Sequence, residues 1–428
     1  MKKILTLLIA ALMVLGLTGC GSKKDEAGKV YYLNFKPEAD AAWQELAKTY
    51  TEQTGVEVKV LTAASGEYET TLQSELGKSS APTMFQIGNF GAVATYGDYA
   101  LDLRGTDVYN EMTTHSFDQV GEDGYTYSIG YCYESYGIIV NTDLLTKAGY
   151  SVDDITNFSS LKTIAEDIHA RSAELGFDAF TNAGLDSSSS WRFSGHLLGV
   201  ALYYQFRDAG KSMTNPEATI TDKYITDNFR NIWDLYLNNS TTDPVANNTA
   251  TGDAAEAELL EKKAVFFQNG SWEYAKLSET LGAENIKMIP IYMGVEGEEN
   301  SGLASGTENC WAVNKNVSEA DQKATLDFMK WVVTSEEGTT MMAKEFGTTP
   351  FKNAKEVTNL FSKTANDMLD AGYYNVDWAF NATPNVNDFR AGVVSALQAY
   401  GKDQTDENWA AVVSAIVDGW AAQYAASH

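Results

Sequence analysis

Histidine and cysteine are scarce in this chain, with four and three in 428 residues. His115, His169, His196 and His428 are scattered. No His-Glu-x-x-His, Gly-x-Ser-x-Gly, P-loop or Gly-x-Gly-x-x-Gly motif occurs. Metalloprotease, hydrolase-elbow, NTPase and dinucleotide chemistries are therefore excluded on motif grounds. No metal, cofactor or catalytic residue is expected. A carboxylate-pair glycosidase leaves no spacing signature and stays open as an alternative. Three cysteines do not make a disulfide framework. Basic residues are short too, 31 against 58 acidic, for a net charge of −27. A charge of that sign repels nucleic acid and anionic lipid, so neither is a partner. It also argues against an anionic ligand drawn in by general attraction. Proline is limited to seven residues, and there is no internal repeat or long low-complexity block. Nor does any apolar run reach the roughly 20 residues of a membrane-spanning helix.

The longest apolar run, Ile4 to Leu17, follows Met1-Lys2-Lys3. That is the pattern of a secretory signal, a basic start and a short apolar core. It ends in Leu17-Thr18-Gly19-Cys20-Gly21-Ser22, which resembles the bacterial lipobox. The resemblance implies a signal peptide over 1–19, cleavage before Cys20 and lipid on the Cys20 sulfur. Removal of Lys2 and Lys3 leaves 29 basic against 58 acidic residues, a net charge of about −29. Residues 20–29 read as a polar tether, and its nine residues after Cys20 reach roughly 17 Å. The protein is expected at the cell membrane on its extracytoplasmic side, held by lipid alone.

About 400 residues remain, too many for one core, which implies two domains. Val30 to Phe35 is an apolar run of strand length. Trp43, Leu46, Ala47 and Tyr50 form a helical stripe that Gly55 ends. Val56, Val58 and Val60 alternate with polar residues as in a half-buried strand. Tyr68, Leu72 and Leu76 carry a second stripe, and Met84, Phe85 and Ile87 a third strand. Strands alternating with helices predict an α/β fold with parallel pairing. Ligands then bind beyond the carboxyl ends of the strands. Further on, Leu161, Ile164, Ala165 and Ile168 predict a helix, as do Phe229, Ile232, Trp233 and Tyr236. Asn238 to Asp253 reads as a surface loop. Trp409, Val412, Val413, Ile416 and Trp420 form a helical face, so these tryptophans belong to a core.

Four segments in order carry a family resemblance. They are Trp43 to Tyr50 with Thr54-Gly55-Val56-Glu57-Val58, then Ala81-Pro82-Thr83-Met84-Phe85 with Tyr96 to Leu103. The third is Gly124 to Leu145 (Gly-Tyr-Thr-Tyr-Ser-Ile-Gly-Tyr-Cys-Tyr-Glu-Ser-Tyr-Gly-Ile-Ile-Val-Asn-Thr-Asp-Leu-Leu), and the fourth Lys263 to Tyr274 (Lys-Ala-Val-Phe-Phe-Gln-Asn-Gly-Ser-Trp-Glu-Tyr). Together they resemble the family 1 extracellular solute-binding proteins of ABC sugar importers, the maltose-binding-protein-like family. Thr83 stands where that family usually has Asp, and Gly130 where it has Pro. The resemblance implies a two-lobe periplasmic-binding-protein-like fold, each lobe a mainly parallel sheet flanked by helices, joined by a multi-strand hinge. Residues 30–132 and 310–350 would build the first lobe, 135–306 and 353–428 the second. It implies a monomer that captures a sugar or oligosaccharide and hands it to the permease subunits, without catalysis.

Sugars present C–H faces that stack on aromatic rings and hydroxyls that need directional partners. Trp272, on the Asn269-Gly270-Ser271 turn, is the leading candidate for the stacking platform, and the resemblance assigns it that role. The resemblance also makes Glu134 a cleft carboxylate, suited to a charge-assisted hydrogen bond from a hydroxyl. Trp191, after the Ser187–Ser190 run, fits a cleft aromatic and a core or cap position equally. Trp378 lies in an irregular polar segment with Asn375, Asp377 and Asn381. Lys36 and Glu38 follow the first strand, Tyr68 the second, and Asn89 and Phe90 the third. Cys132 and Cys310 fall in predicted hinge strands, which the resemblance places side by side. A disulfide there would restrict the hinge, so two buried free thiols are expected. An acidic, aromatic cleft also suits a polyamine, and a peptide ligand is a further alternative.

Overall fold

The computed structural model describes residues 28–182 and 184–427. The signal run, Cys20 and the tether up to Ala27 lie outside the described residues. Lys29, expected in the tether, is already docked: its backbone N–H donates to Asp321 at 2.9 Å.

The first sheet is built from β1 (Val30–Asn34), β2 (Val58–Thr62), β3 (Met84–Gln86), β4 (Gln119–Val120) and β5 (Thr126–Gly130), plus β11 (Cys310–Val313). Its order is β2-β1-β3-β11-β5-β4. Helices α1 (Asp40–Thr54) and α2 (Tyr68–Leu76) make the crossovers that the helical stripes predict. Helix α1 buries Trp43, Leu46, Ala47 and Tyr50 and stops at Gly55, whose φ of 77° completes a left-handed cap. Trp43 meets Trp311 at 5.9 Å, and Trp311 stacks on Tyr131 at 4.2 Å, at the centre of this core.

The second sheet contains β6 (Glu134–Asn141), β7 (Asp178–Phe180), β8 (Ala264–Gly270), β9 (Ile286–Ile289), β10 (Ser301–Gly306) and β12 (Tyr374–Asp377). Its order is β12-β10-β6-β8-β7, with β9 also paired to β6. The helices Phe158–Ala170 and Arg230–Asn238 appear where the periodicity predicts them. In the last helix, Asp406–Ser427, Trp409 and Trp420 are buried in the core of this lobe.

Both sheets are mixed, which corrects the expectation of mainly parallel ones. Pairs β1–β2, β1–β3, β7–β8 and β10–β12 are parallel, while β11 runs antiparallel to β3 and β5, and β6 antiparallel to β8, β9 and β10. The reason lies in the crossings. The chain passes from β5 to β6 through Tyr131–Tyr133 and returns from β10 to β11 through Thr307–Asn309. A strand that arrives from the other lobe enters at the cleft end, opposite to strands whose carboxyl ends meet there. A third crossing follows Phe346, where Thr348 bridges to the hinge and Tyr133 N–H donates to the Thr348 carbonyl at 2.7 Å. The stretch 238–253 is not all surface: Ser240 bridges to Phe180, and Asn247 is fully buried.

Candidate functional site

A cavity of about 720 Å³ lies between the lobes, within the ~300–1,000 Å³ typical of small-molecule sites. Its walls come from segments that follow β1, β2, β3, β7, β8 and β12, and from the hinge crossings. The strand ends therefore converge on one place, as the alternation of strands and helices predicts.

At the floor, Lys36 Nζ donates to both Glu134 oxygens at 3.0 and 2.9 Å and pairs with Glu38 at 2.8 Å. Asn309 Nδ2 donates to Glu134 at 2.7 Å. Lys36 and Glu134 are 4% and 3% exposed. Burial alone would lower the Lys36 pKa, but the Glu134 and Glu38 carboxylates outweigh it and hold it up. Glu134 is thus in the cleft, but its oxygens already accept three hydrogen bonds from the protein. Of the roughly four acceptor positions of a carboxylate, about one is left for a ligand.

The second-lobe wall is aromatic. The Trp272 ring lies against Gly270, where a Cβ would come within 2.2 Å of ring atoms, and Trp378 lies against Gly306, where a Cβ would come within 2.6 Å. Gly270 and Gly306 end the two strands that flank β6. Only a residue without a side chain lets an indole settle flat on the backbone there. Trp191 is 5.9 Å from Trp272. His196 sits among these rings, 4.9 Å from Trp191, 5.6 Å from Trp272 and 5.8 Å from Trp378, and stacks on Tyr136 at 4.1 Å. Burial, with Arg390 and Arg192 nearby, lowers the His196 pKa well below 6.5 and keeps it neutral. Two indole N–H groups are tied to the protein, Trp191 to Ser188 O at 2.9 Å and Trp378 to Ala304 O at 3.0 Å. Trp378 follows β12 directly and is 5% exposed, more enclosed than an irregular polar loop would make it.

The facing wall is polar. The Gln86 N–H donates to the Tyr68 hydroxyl at 2.7 Å, and the Tyr68 ring meets Phe35 edge-on at 5.3 Å. Asn89 caps the helix α3 (Phe90–Tyr96) by accepting from the Ala92 N–H at 2.9 Å, and donates to Glu308 at 2.9 Å. Phe90, proposed with Asn89, is 39% exposed and does not line the cavity. The cavity also takes in Glu69, Glu308, Arg390 and His196, which sequence reasoning missed. Nothing local marks them: the two glutamates are among 58 acidic residues, and neither Arg390 nor His196 falls in a recognisable motif. Four buried polar atoms on the cavity lining have no hydrogen-bond partner among the described residues: Gln86 Oε1, His196 Nδ1, Asn309 Oδ1 and Arg390 Nε.

The lobes touch at the mouth. Ser65 Oγ donates to Ser188 O at 3.0 Å and Asn387 Nδ2 to Glu69 at 3.0 Å. Two α/β lobes thus close over a lined cavity. Residues 45–368 match the family model of the bacterial extracellular solute-binding proteins. The chain belongs to that family. No curated protein matches it in sequence. Its fold is similar to RafE in complex with raffinose, with a TM-score of 0.73 at 15% identity, covering 92% of this chain and 99% of that one. The apo form of RafE from Streptococcus pneumoniae scores 0.66 at 14% identity, over 93% and 98% of the two chains. Maltose-bound MalE3 of T. maritima scores 0.68 at 14% identity, over 91% and 99%. A family of solute-binding proteins captures its ligand rather than transforming it, and the glycosidase alternative falls with that.

In this extracellular solute-binding protein the two hinge cysteines, Cys132 and Cys310, are buried free thiols. Behind the Trp272 turn, Asn269 Nδ2 donates to Glu273 at 2.7 Å. Burial, reinforced by Glu256 and opposed by Arg192, pushes the Glu273 carboxyl from 4.5 up to about 8. The folded protein keeps a proton there that the unfolded chain has released, so this group lowers stability as pH rises from about 4.5 to about 8. Glu273→Gln is expected to flatten that fall. Melting temperatures of both proteins across this window test it, and equal slopes would contradict it.

Proposed function

We propose that this protein is the sugar- or oligosaccharide-capturing component of an ABC importer, working as a lipid-anchored monomer outside the cell and delivering its ligand to the permease subunits. The observation that carries the reading is the wall of Trp191, Trp272 and Trp378 facing polar side chains across one closed cavity. Indole faces stack on the C–H faces of a sugar, while amides and carboxylates meet its hydroxyls. Structures of similar fold hold raffinose and maltose, in line with this reading. Among the described residues no helix is long and apolar enough to cross a membrane; the anchor reading rests on the lipobox-like Leu17-Thr18-Gly19-Cys20.

The carboxylates in the cavity raise the polyamine alternative. Against it, the Lys36 ammonium already lies 5.6 Å over the Trp272 ring, where a cationic ligand would otherwise sit. A thermal-shift screen separates the classes, because a hundredfold excess over Kd adds about 2.7 kcal/mol to the folded state. Raffinose, maltotriose or a related saccharide should raise the melting temperature, and spermidine and short peptides should not. A shift with spermidine or peptide alone would end the sugar reading. For the anchor, Cys20→Ala should leave the protein unprocessed or free of the membrane fraction. A variant that is matured and membrane-bound like the parent would rule out lipidation at Cys20.

A further inference from the structure

The tryptophan wall accounts for a sugar's faces but not for which hydroxyl-bearing ligand is accepted. Arg390 projects from the second-lobe helix Val386–Lys402 and lines the cavity. Its guanidinium packs beside Gly195, where a Cβ would meet Nη2 at 2.8 Å. Burial lowers its pKa, and the negative charges of Glu308, in the hinge crossing, and Glu69, on first-lobe helix α2, only partly oppose that. It forms no ion pair with either, and its Nε has no partner among the described residues. Glu69 and Glu308 are instead held by amides, Asn387 and Asn89 respectively. An arginine fork thus shares the cavity lining with two carboxylates, one of them on the opposite lobe, without closing an ion pair on either.

We infer that Arg390, Glu69 and Glu308 form an interlobe clamp for hydroxyl groups, and that the clamp admits an uncharged saccharide and turns away both acidic and amino sugars. This rests on the saccharide reading above. Arginine is only a donor and a carboxylate only an acceptor. A hydroxyl is both, so one placed between them accepts from Arg390 and donates to a glutamate. The buried orphan atoms repeat the demand: Arg390 Nε must donate, whereas Gln86 Oε1 and Asn309 Oδ1 must accept. A uronate would satisfy Arg390 but meet two glutamates of its own sign. An ammonium would satisfy the glutamates but leave the guanidinium opposed and unpaired. The other cation of the cavity lining offers a uronate no relief, since Lys36 is already spanned by Glu134 and Glu38. Because Arg390 and Glu69 sit on opposite lobes, the clamp exists only when the cleft is closed, which ties selection to closure.

Calorimetry on the full chain tests this with raffinose, maltotriose and galactobiose as neutral probes, digalacturonate as the acidic one and the glucosamine dimer as the cationic one. Binding is expected among the neutral probes and in neither charged one. Arg390→Met should weaken the bound neutral probe about ten- to hundredfold, the range for a hydrogen bond to a charged group. Glu308→Gln serves as a second variant, expected to lower affinity and to relax the rejection of digalacturonate. Melting temperatures without ligand show that both variants fold. Digalacturonate or the glucosamine dimer binding the parent as tightly as a neutral probe would overturn the clamp. So would an unchanged Kd in Arg390→Met. If no saccharide of any charge binds, the sugar reading itself fails and this inference with it.

Discussion

Trp272→Ala is expected to weaken saccharide binding by roughly thirtyfold or more, on the order of 2 kcal/mol, the usual loss when an aromatic anchor in a pocket is truncated. The ring is half-buried, lies beside Trp191 and His196, and rests on Gly270. Its loss removes one floor of the stack and opens space that water fills. Gly270→Ala should act in the same direction without removing the ring, because the new methyl lies within 2.2 Å of it and pushes it off its seat. Trp409→Ala is the contrasting case. Trp409 is 2% exposed in the second-lobe core, 4.9 Å from Tyr400, so its loss should lower thermal stability by about 3–5 kcal/mol with no direct effect on ligand. Calorimetric titration and melting curves on all three variants decide the matter. Trp272→Ala that binds like the parent, or that does not fold, would refute the platform.

The second large effect is on stability. Lys36→Met should destabilise the protein by about 3–5 kcal/mol, because breaking a buried pair strands its partner. Glu134, 3% exposed, would keep Asn309 as a donor but lose its counter-charge. For lobes of this size that corresponds to a fall in melting temperature of roughly 10 °C. The double variant Lys36→Met with Glu134→Leu should recover most of the loss, since two apolar groups replace a buried ion pair at little net cost. A single variant as stable as the parent would mean that water reaches the floor of the cleft and screens Glu134. The same pair links the loop after β1 to the first residue of β6, so it also joins the two lobes at the base of the hinge.

Local pattern carried much of the fold. The stripe at Trp43, Leu46, Ala47 and Tyr50 became one buried helix face, because the 3.6-residue period alone decides which side chains share a face. The alternation at Val58 and Val60, the stripe at Leu161 to Ile168 and the core tryptophans of the last helix were legible for the same reason. So was Trp272 on its turn, since glycine before an indole is a local feature and Gly270 is what the ring rests on. Strand direction was not legible. Whether β11 runs with or against β3 depends on which lobe the chain has come from, and no residue of Cys310–Val313 encodes that. Nor were the charge partners. Lys36 and Glu134 are 98 positions apart, and Arg390 comes to line one cavity with Glu69 and Glu308 only because two lobes close on each other. With 58 acidic residues in the chain, type and spacing could not single out these few. The sequence by itself determined which faces are apolar and where a cleft must open. Only the packing of distant elements decided which carboxylates are neutralised within the protein and which still face a ligand, because a charge pair is set by distance in space.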